Sequence, residues 1–171
     1  MNKNIIIAKG ILQFDPINRT KKHDRQGSWK KTAMILLNDD TCEYYRYLIQ
    51  RKYQLIQGRK SNVNWLNPPL RGTHVTIIND RTDDIDTWKK LKEKYDNTEI
   101  YFFYNIEDGL RNNGSHIYYK VDCPMGDLIR EEGNLGDPYF GYHLTIGQVP
   151  DDSIPRKEHI ERVQKYMIDG Y

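Results

Sequence analysis

The chain has 171 residues, a hydrophobic fraction of 37%, and 13 Tyr, 4 Phe and 3 Trp; this suffices for one folded domain over 1–171 and excludes a disordered polar chain. The net charge of +2 conceals an asymmetry: residues 1–74 carry 14 Lys/Arg against 5 Asp/Glu, leaving an acidic remainder, as expected of a protein that holds an anion on one side. Only Cys42 and Cys123 are present and no apolar run nears the ~20 residues of a membrane span, which excludes a disulfide scaffold or a spanning helix and leads us to expect a soluble, cytoplasmic protein.

In chain order, NIIIAKGIL (4–12) and TAMILLN (32–38) read as strands, with the polar loop RTKKHDRQGSWKK between them. Residues 41–57 place Tyr45, Leu48, Ile49, Lys52, Leu55 and Ile56 on one helical stripe, with Asn38, Asp39 and Asp40 as cap candidates. An Asn/Pro/Gly-rich linker leads into the strand HVTII, and DDIDTWKKLKEKYD then sets Ile85, Trp88, Leu91 and Tyr95 at helical spacing. EIYFFYNI and HIYYKV read as strands joined through a hairpin-like Asn-Gly turn. PMGDLIREEG is a short helix stopped by Gly133, and YHLTIGQV is the last strand. Pro155, Ile160, Val163 and Met167 then mark a C-terminal helix. The predicted fold class is α+β, antiparallel sheet with helices on its outer faces.

Two stretches are near-copies. RGTHVTIIND and FGYHLTIGQV each follow a Gly-containing turn and hold a His, an aliphatic residue and a Thr. Side chains alternate along a strand, so His74 and Thr76 share one face while Val75 and Ile77 take the other; His143 and Thr145 stand likewise against Leu144 and Ile146. Adjacent strands would converge both His and both Thr on one spot, and Gly147 would continue that face and leave room for a ligand. This set suits a phosphodiester. A neutral imidazole removes a proton from the attacking oxygen, an imidazolium protonates the leaving oxygen, and threonine hydroxyls donate to the non-bridging oxygens. No cofactor or metal is called for.

Competing patterns are weaker. His23-Asp24 resembles a metal-phosphohydrolase pair but lies in a Lys-rich loop without further ligands. Neither cysteine has a nucleophile context, no glycine-rich phosphate loop occurs, and His116 and His159 read as surface residues.

The paired motifs resemble the signature of the 2H phosphoesterases, named for two H-x-[ST] motifs, and LIREEGNLGDPYFGYHLTIGQV resembles the region of the second motif. The resemblance covers roughly residues 65–150 by motif; the first third of the chain carries no signature. It implies a bilobal fold, two pseudo-symmetric lobes whose antiparallel sheets line a central groove with helices outside. It also implies metal-independent hydrolysis of RNA ends, 2′,3′-cyclic phosphates or cyclic oligonucleotides. Small size, close-set motifs and the many tyrosines look most like the phage anti-CBASS nucleases, which implies cleavage of 3′,3′-linked cyclic di- and trinucleotides by 2′-OH attack, in a host cytoplasm, and no action on duplex nucleic acid or membranes. Base stacking would fall to aromatics. Tyr118 and Lys120 share a strand face and are candidates for base and phosphate; Tyr139 joins the His143 face if that strand extends backwards, and Tyr44 and Tyr104 are further candidates. Two alternatives stand: a 2′,3′-cyclic phosphodiesterase acting on RNA ends or mononucleotides, and a non-catalytic nucleotide- or RNA-binding module.

Overall fold

The computed structural model describes residues 4–16, 31–57, 66–69, 72–79, 84–112 and 116–148. The His23-Asp24 pair, most of the 58–72 linker, the Asn113-Gly114 turn and the C-terminal helical pattern with His159 lie outside the described residues. So do the side chains of Lys52, Leu55 and Ile56.

Through residue 148 the elements follow the expected order, with one added short strand. β1 (Ile5–Phe14) runs two residues beyond expectation and ends at Asp15, whose φ of 52° breaks the strand. β2 (Ala33–Leu36), α1 (Asp40–Gln57) and β3 (His74–Ile78) follow. α2 (Ile85–Tyr95) starts where the Asp84 carboxylate accepts the amides of Asp86 and Thr87, and it buries Trp88, Leu91 and Tyr95. Ile85, expected on that apolar stripe, is exposed instead, because it opens the first turn. β4 (Glu99–Asn105), a short β5 (Arg111–Asn112), β6 (His116–Val121), α3 (Pro124–Glu132) and β7 (Tyr142–Gln148) complete the described chain.

The seven strands form one antiparallel sheet in the order β4-β1-β2-β3-β7-β6-β5. This corrects the expected hairpin. β4 pairs with β1 rather than β6, and β6 finds its short partner in β5. The cause is local: a 3₁₀ turn at Ile106–Asp108, ended by Gly109 at φ 73°, redirects the chain before β5 begins. The sheet curls until Phe103 of β4 and Asp122, just past β6, exchange two backbone hydrogen bonds of 2.8 Å.

The three described helices lie on one side of this sheet. Tyr45 of α1 meets Tyr104 and Tyr119, Trp88 of α2 meets Phe14 edge-on, and α3 brings Gly126 against Tyr142 and Ile77. Val75, Ile77, Leu144 and Ile146 belong to that core and are at most 1% exposed. Burying each such side chain contributes about 1.5–3 kcal/mol. Together they fix which way β3 and β7 face, since a one-residue slip would turn the aliphatics outward. The opposite face of these two strands therefore carries the alternate residues.

Candidate active site

β3 and β7 are neighbours, joined by a ladder of one pair, Val75–Leu144. Continuing that antiparallel register by one residue each way sets His74 across from Thr145 and Thr76 across from His143. The two histidines thus occupy one diagonal of a four-cornered patch and the two threonines the other. Diagonal neighbours on a sheet stand roughly 7–8 Å apart. An imidazole thus stands at two opposite corners and a hydroxyl at the other two. His74, Thr76 and His143 are half-buried and Thr145 is buried.

Both histidines are held the same way. Nδ1 of His74 lies 2.8 Å from the Gly72 carbonyl oxygen, and Nδ1 of His143 lies 3.3 Å from that of Gly141. A carbonyl only accepts, so each Nδ1 carries the proton and Nε2 is the acceptor nitrogen of the neutral ring. Gly72 and Gly141 have φ of 74° and 65°, the left-handed region that glycine enters without penalty. No heavy atom lies within 4 Å of a Cβ built on Gly141, so backbone conformation rather than space calls for glycine there. The repeated structural unit is therefore G-x-H-x-T. The sequence carried its signal, a Gly two residues before each His, but only as part of a turn.

The two glycine turns have different anchors. Thr73 donates its amide to Asp39 Oδ1 at 2.7 Å and accepts from the Leu37 amide at 3.0 Å, which ties the approach to His74 to the start of α1. Thus Asp39, expected as a helix cap, serves the neighbouring turn as well. On the other side, buried Arg130 of α3 donates to the carbonyls of Leu135, Gly136 and Asp137, in the loop that leads to Gly141. The same guanidinium donates to the Ile77 carbonyl at 3.0 Å, one residue past Thr76. One side chain therefore connects the strand of the first motif to the loop before the second.

Of the expected ligand residues, two fall beside this patch. Tyr118 pairs with Thr145 and Lys120 with His143, and the Tyr118 ring lies 5.2 Å from the His143 ring. The other three fall elsewhere. Tyr139 is 90% exposed and touches Phe140; β7 starts only at Tyr142, after the Gly141 turn, so the backward extension that would have aligned it does not occur. Tyr44 is an exposed residue of α1, on the helix side of the sheet. Tyr104 is core: it is 4% exposed, shares a 3.1 Å hydrogen bond with Tyr45, and burial raises its phenol's pKa. Tyr142 faces the core, as expected.

The space expected at Gly147 is filled. The β6–β7 register shifts between Ile117 and Tyr118, which makes Ile146 an extra residue and pairs Gly147 with core-facing Ile117. A Cβ on Gly147 would meet Leu66 Cβ at 2.8 Å and Arg46 Cδ at 3.4 Å. Arg46 Nη1 donates to the Ile146 carbonyl at 2.9 Å, satisfying an oxygen that the bulge takes out of the ladder.

Burial pushes the thiols of Cys42 and Cys123 up to about 11, so both are neutral and inert near pH 7. Among the described residues no group of three or more His, Cys, Asp or Glu is placed to hold a metal ion, and no helix is long and apolar enough to cross a membrane. Comparison with protein-family models, curated proteins and solved structures gives no match to this chain.

Proposed function

We propose that this chain is a metal-independent phosphodiesterase of the 2H type that opens 3′,3′-linked cyclic di- and trinucleotides, as the phage anti-CBASS nucleases do, in the cytoplasm of a host cell. The observation that carries the reading is the diagonal pair of G-x-H-x-T units, each imidazole fixed by a glycine carbonyl through Nδ1. Two histidines in one tautomer at opposite corners of one patch suit concerted acid–base chemistry. The single-pair seam between β3 and β7 also favours the two-lobe view, with β4-β1-β2-β3 as one half and β7-β6-β5 as the other.

In this mechanism the neutral histidine takes the proton of a ribose 2′-OH through Nε2. The 2′ oxygen attacks the adjacent phosphorus, and the P–O5′ bond breaks. The second histidine, as imidazolium, gives its Nε2 proton to the departing 5′ oxygen, leaving a 2′,3′-cyclic phosphate and a 5′-OH. Thr76 and Thr145 donate to the two non-bridging oxygens, where charge builds in the transition state.

The test is incubation with cyclic dinucleotides, linear RNA and 2′,3′-cyclic AMP, with and without EDTA, followed by chromatography. Ring opening that EDTA leaves intact, and that a 2′-deoxy cyclic dinucleotide resists, is the expected result. Efficient cleavage of the deoxy analogue overturns the 2′-OH mechanism. Turnover of 2′,3′-cyclic AMP or RNA ends alone assigns the chain to the cyclic phosphodiesterases, and binding with no turnover assigns it to the nucleotide-binding modules.

A further inference from the structure

The registers align the face bearing the two motifs into cross-strand rows. One row runs Glu99, Ile11, Leu36, His74, then across the seam to Thr145, Tyr118 and Arg111. The next runs Gln13, Met34, Thr76, His143 and Lys120. Cross-strand partners project from the same face, so both rows stand beside the four-cornered patch.

The two wings differ in chemistry. On the β2–β1 side the neighbours are Leu36, Met34 and Ile11, and the nearby cation Lys9 is neutralised by Glu99 at 2.8 Å. On the β6–β5 side the neighbours are one aromatic ring and two exposed cations, Lys120 and Arg111, neither with a carboxylate within ion-pair distance among the described residues. Two exposed cations flanking a ring suit a nucleotide's phosphate and base.

Position sets what that phosphate is. Lys120 is directly across from His143 and borders the reacting phosphate. Arg111 is two strands from β7, about 10 Å away at ~4.8 Å per strand. That is too far to serve the same group by backbone position and suits the next phosphate along a dinucleotide, with the intervening base against Tyr118.

We propose that Arg111 is a second phosphate subsite, so that the β6–β5 wing selects ligands with a second phosphate one nucleotide from the scissile bond. This rests on the phosphodiesterase reading for the word scissile, but its test is binding rather than turnover.

The probes are the linear 2′-deoxy forms of the dinucleotides pApA and ApA, which lack the attacking hydroxyl and differ by one terminal phosphate, measured by calorimetry on the full chain. The wild-type protein is expected to bind pApA at least tenfold more tightly at 50 mM salt, with the gap narrowing at 200 mM. Arg111→Ala should bring the gap below threefold while Arg111→Lys keeps most of it; a fold lost to the substitution would take ApA binding with it. No gap in the wild type, a gap that survives in Arg111→Ala, or no binding of either probe overturns the subsite. A normal gap without any cyclic dinucleotide turnover leaves the subsite standing and sinks the cyclic-dinucleotide reading instead.

Discussion

His74 and His143 each set Nδ1 against a glycine carbonyl, which fixes the ring and turns Nε2 away from that turn. Replacing either by Ala is expected to lower kcat about 10²–10⁴-fold, the usual worth of a positioned acid or base. Ligand affinity should change little, and equal losses in kcat and in Kd would argue against the acid–base roles. Gly141→Ala tests the support. Its φ of 65° costs a residue with a Cβ roughly 1–2 kcal/mol, but nothing stands within 4 Å to clash. The expected outcome is a folded protein with a slightly lower Tm and a larger fall in kcat, because the carbonyl that orients His143 moves. At this scale the two histidines and two threonines were legible as repeated letters with strand alternation. The glycine–imidazole bonds were not, since they depend on a backbone conformation and a ring rotamer.

Elements carry the next set of constraints. Arg130 spans from α3 to the Ile77 carbonyl of β3 and to three carbonyls of the loop before β7. Arg130→Met keeps much of the volume and strands the buried Ile77 carbonyl, at a cost of about 1–3 kcal/mol, while water can reach the part-buried loop carbonyls. Urea unfolding should show the loss, and a drop in kcat at a temperature where the variant is still folded would separate positioning of the two motifs from bulk stability. Gly10 of β1 offers a second measurement. A Cβ there would lie 2.5 Å from the Leu36 carbonyl oxygen and 2.7 Å from Ile35 Cγ2. Gly10→Ala is therefore expected to destabilise by about 1–3 kcal/mol, the cost of overpacking, through the β1–β2 contact that places Leu36 beside His74. Element types and most boundaries were readable from period, caps and turn residues. Arg130 was not, because a buried arginine in an exposed-looking IREEG helix has no sequence signal of its own.

Across the whole molecule the helix-side core sets the response to alkali. Burial raises the thiols of Cys42 and Cys123 from 9.0 to about 11, and raises the phenols of Tyr104, Tyr119 and Tyr142 as well. A raised folded value means stability is complete below the unfolded thiol value near 9 and is lost as pH climbs through about 11, where the buried group is forced to ionise. Each thiol accounts for a loss on the order of 2–3 kcal/mol across that interval, and the tyrosines add to it above about pH 10. Urea midpoints should hold to pH 8 and then fall. In Cys42→Ala/Cys123→Ala the slope between pH 9 and 10 should flatten, and an unchanged slope there would discount the thiols.

Local pattern sufficed for the α+β class, the inward aliphatic faces of β3 and β7, and the four residues that meet at the candidate site. Those properties follow from side-chain alternation and helical period, which act between near neighbours in the chain. Strand order did not follow. β4 lies next to β1, the short β5 closes the far edge, and a bulge at Ile146 turns Gly147 toward Leu66. Such pairings join residues far apart in sequence and are settled by competition for backbone partners and core volume. That competition also decided which tyrosines stand beside the histidines: Tyr118 does, Tyr44, Tyr104 and Tyr139 do not, and Arg111 enters the row only because β5 pairs where it does.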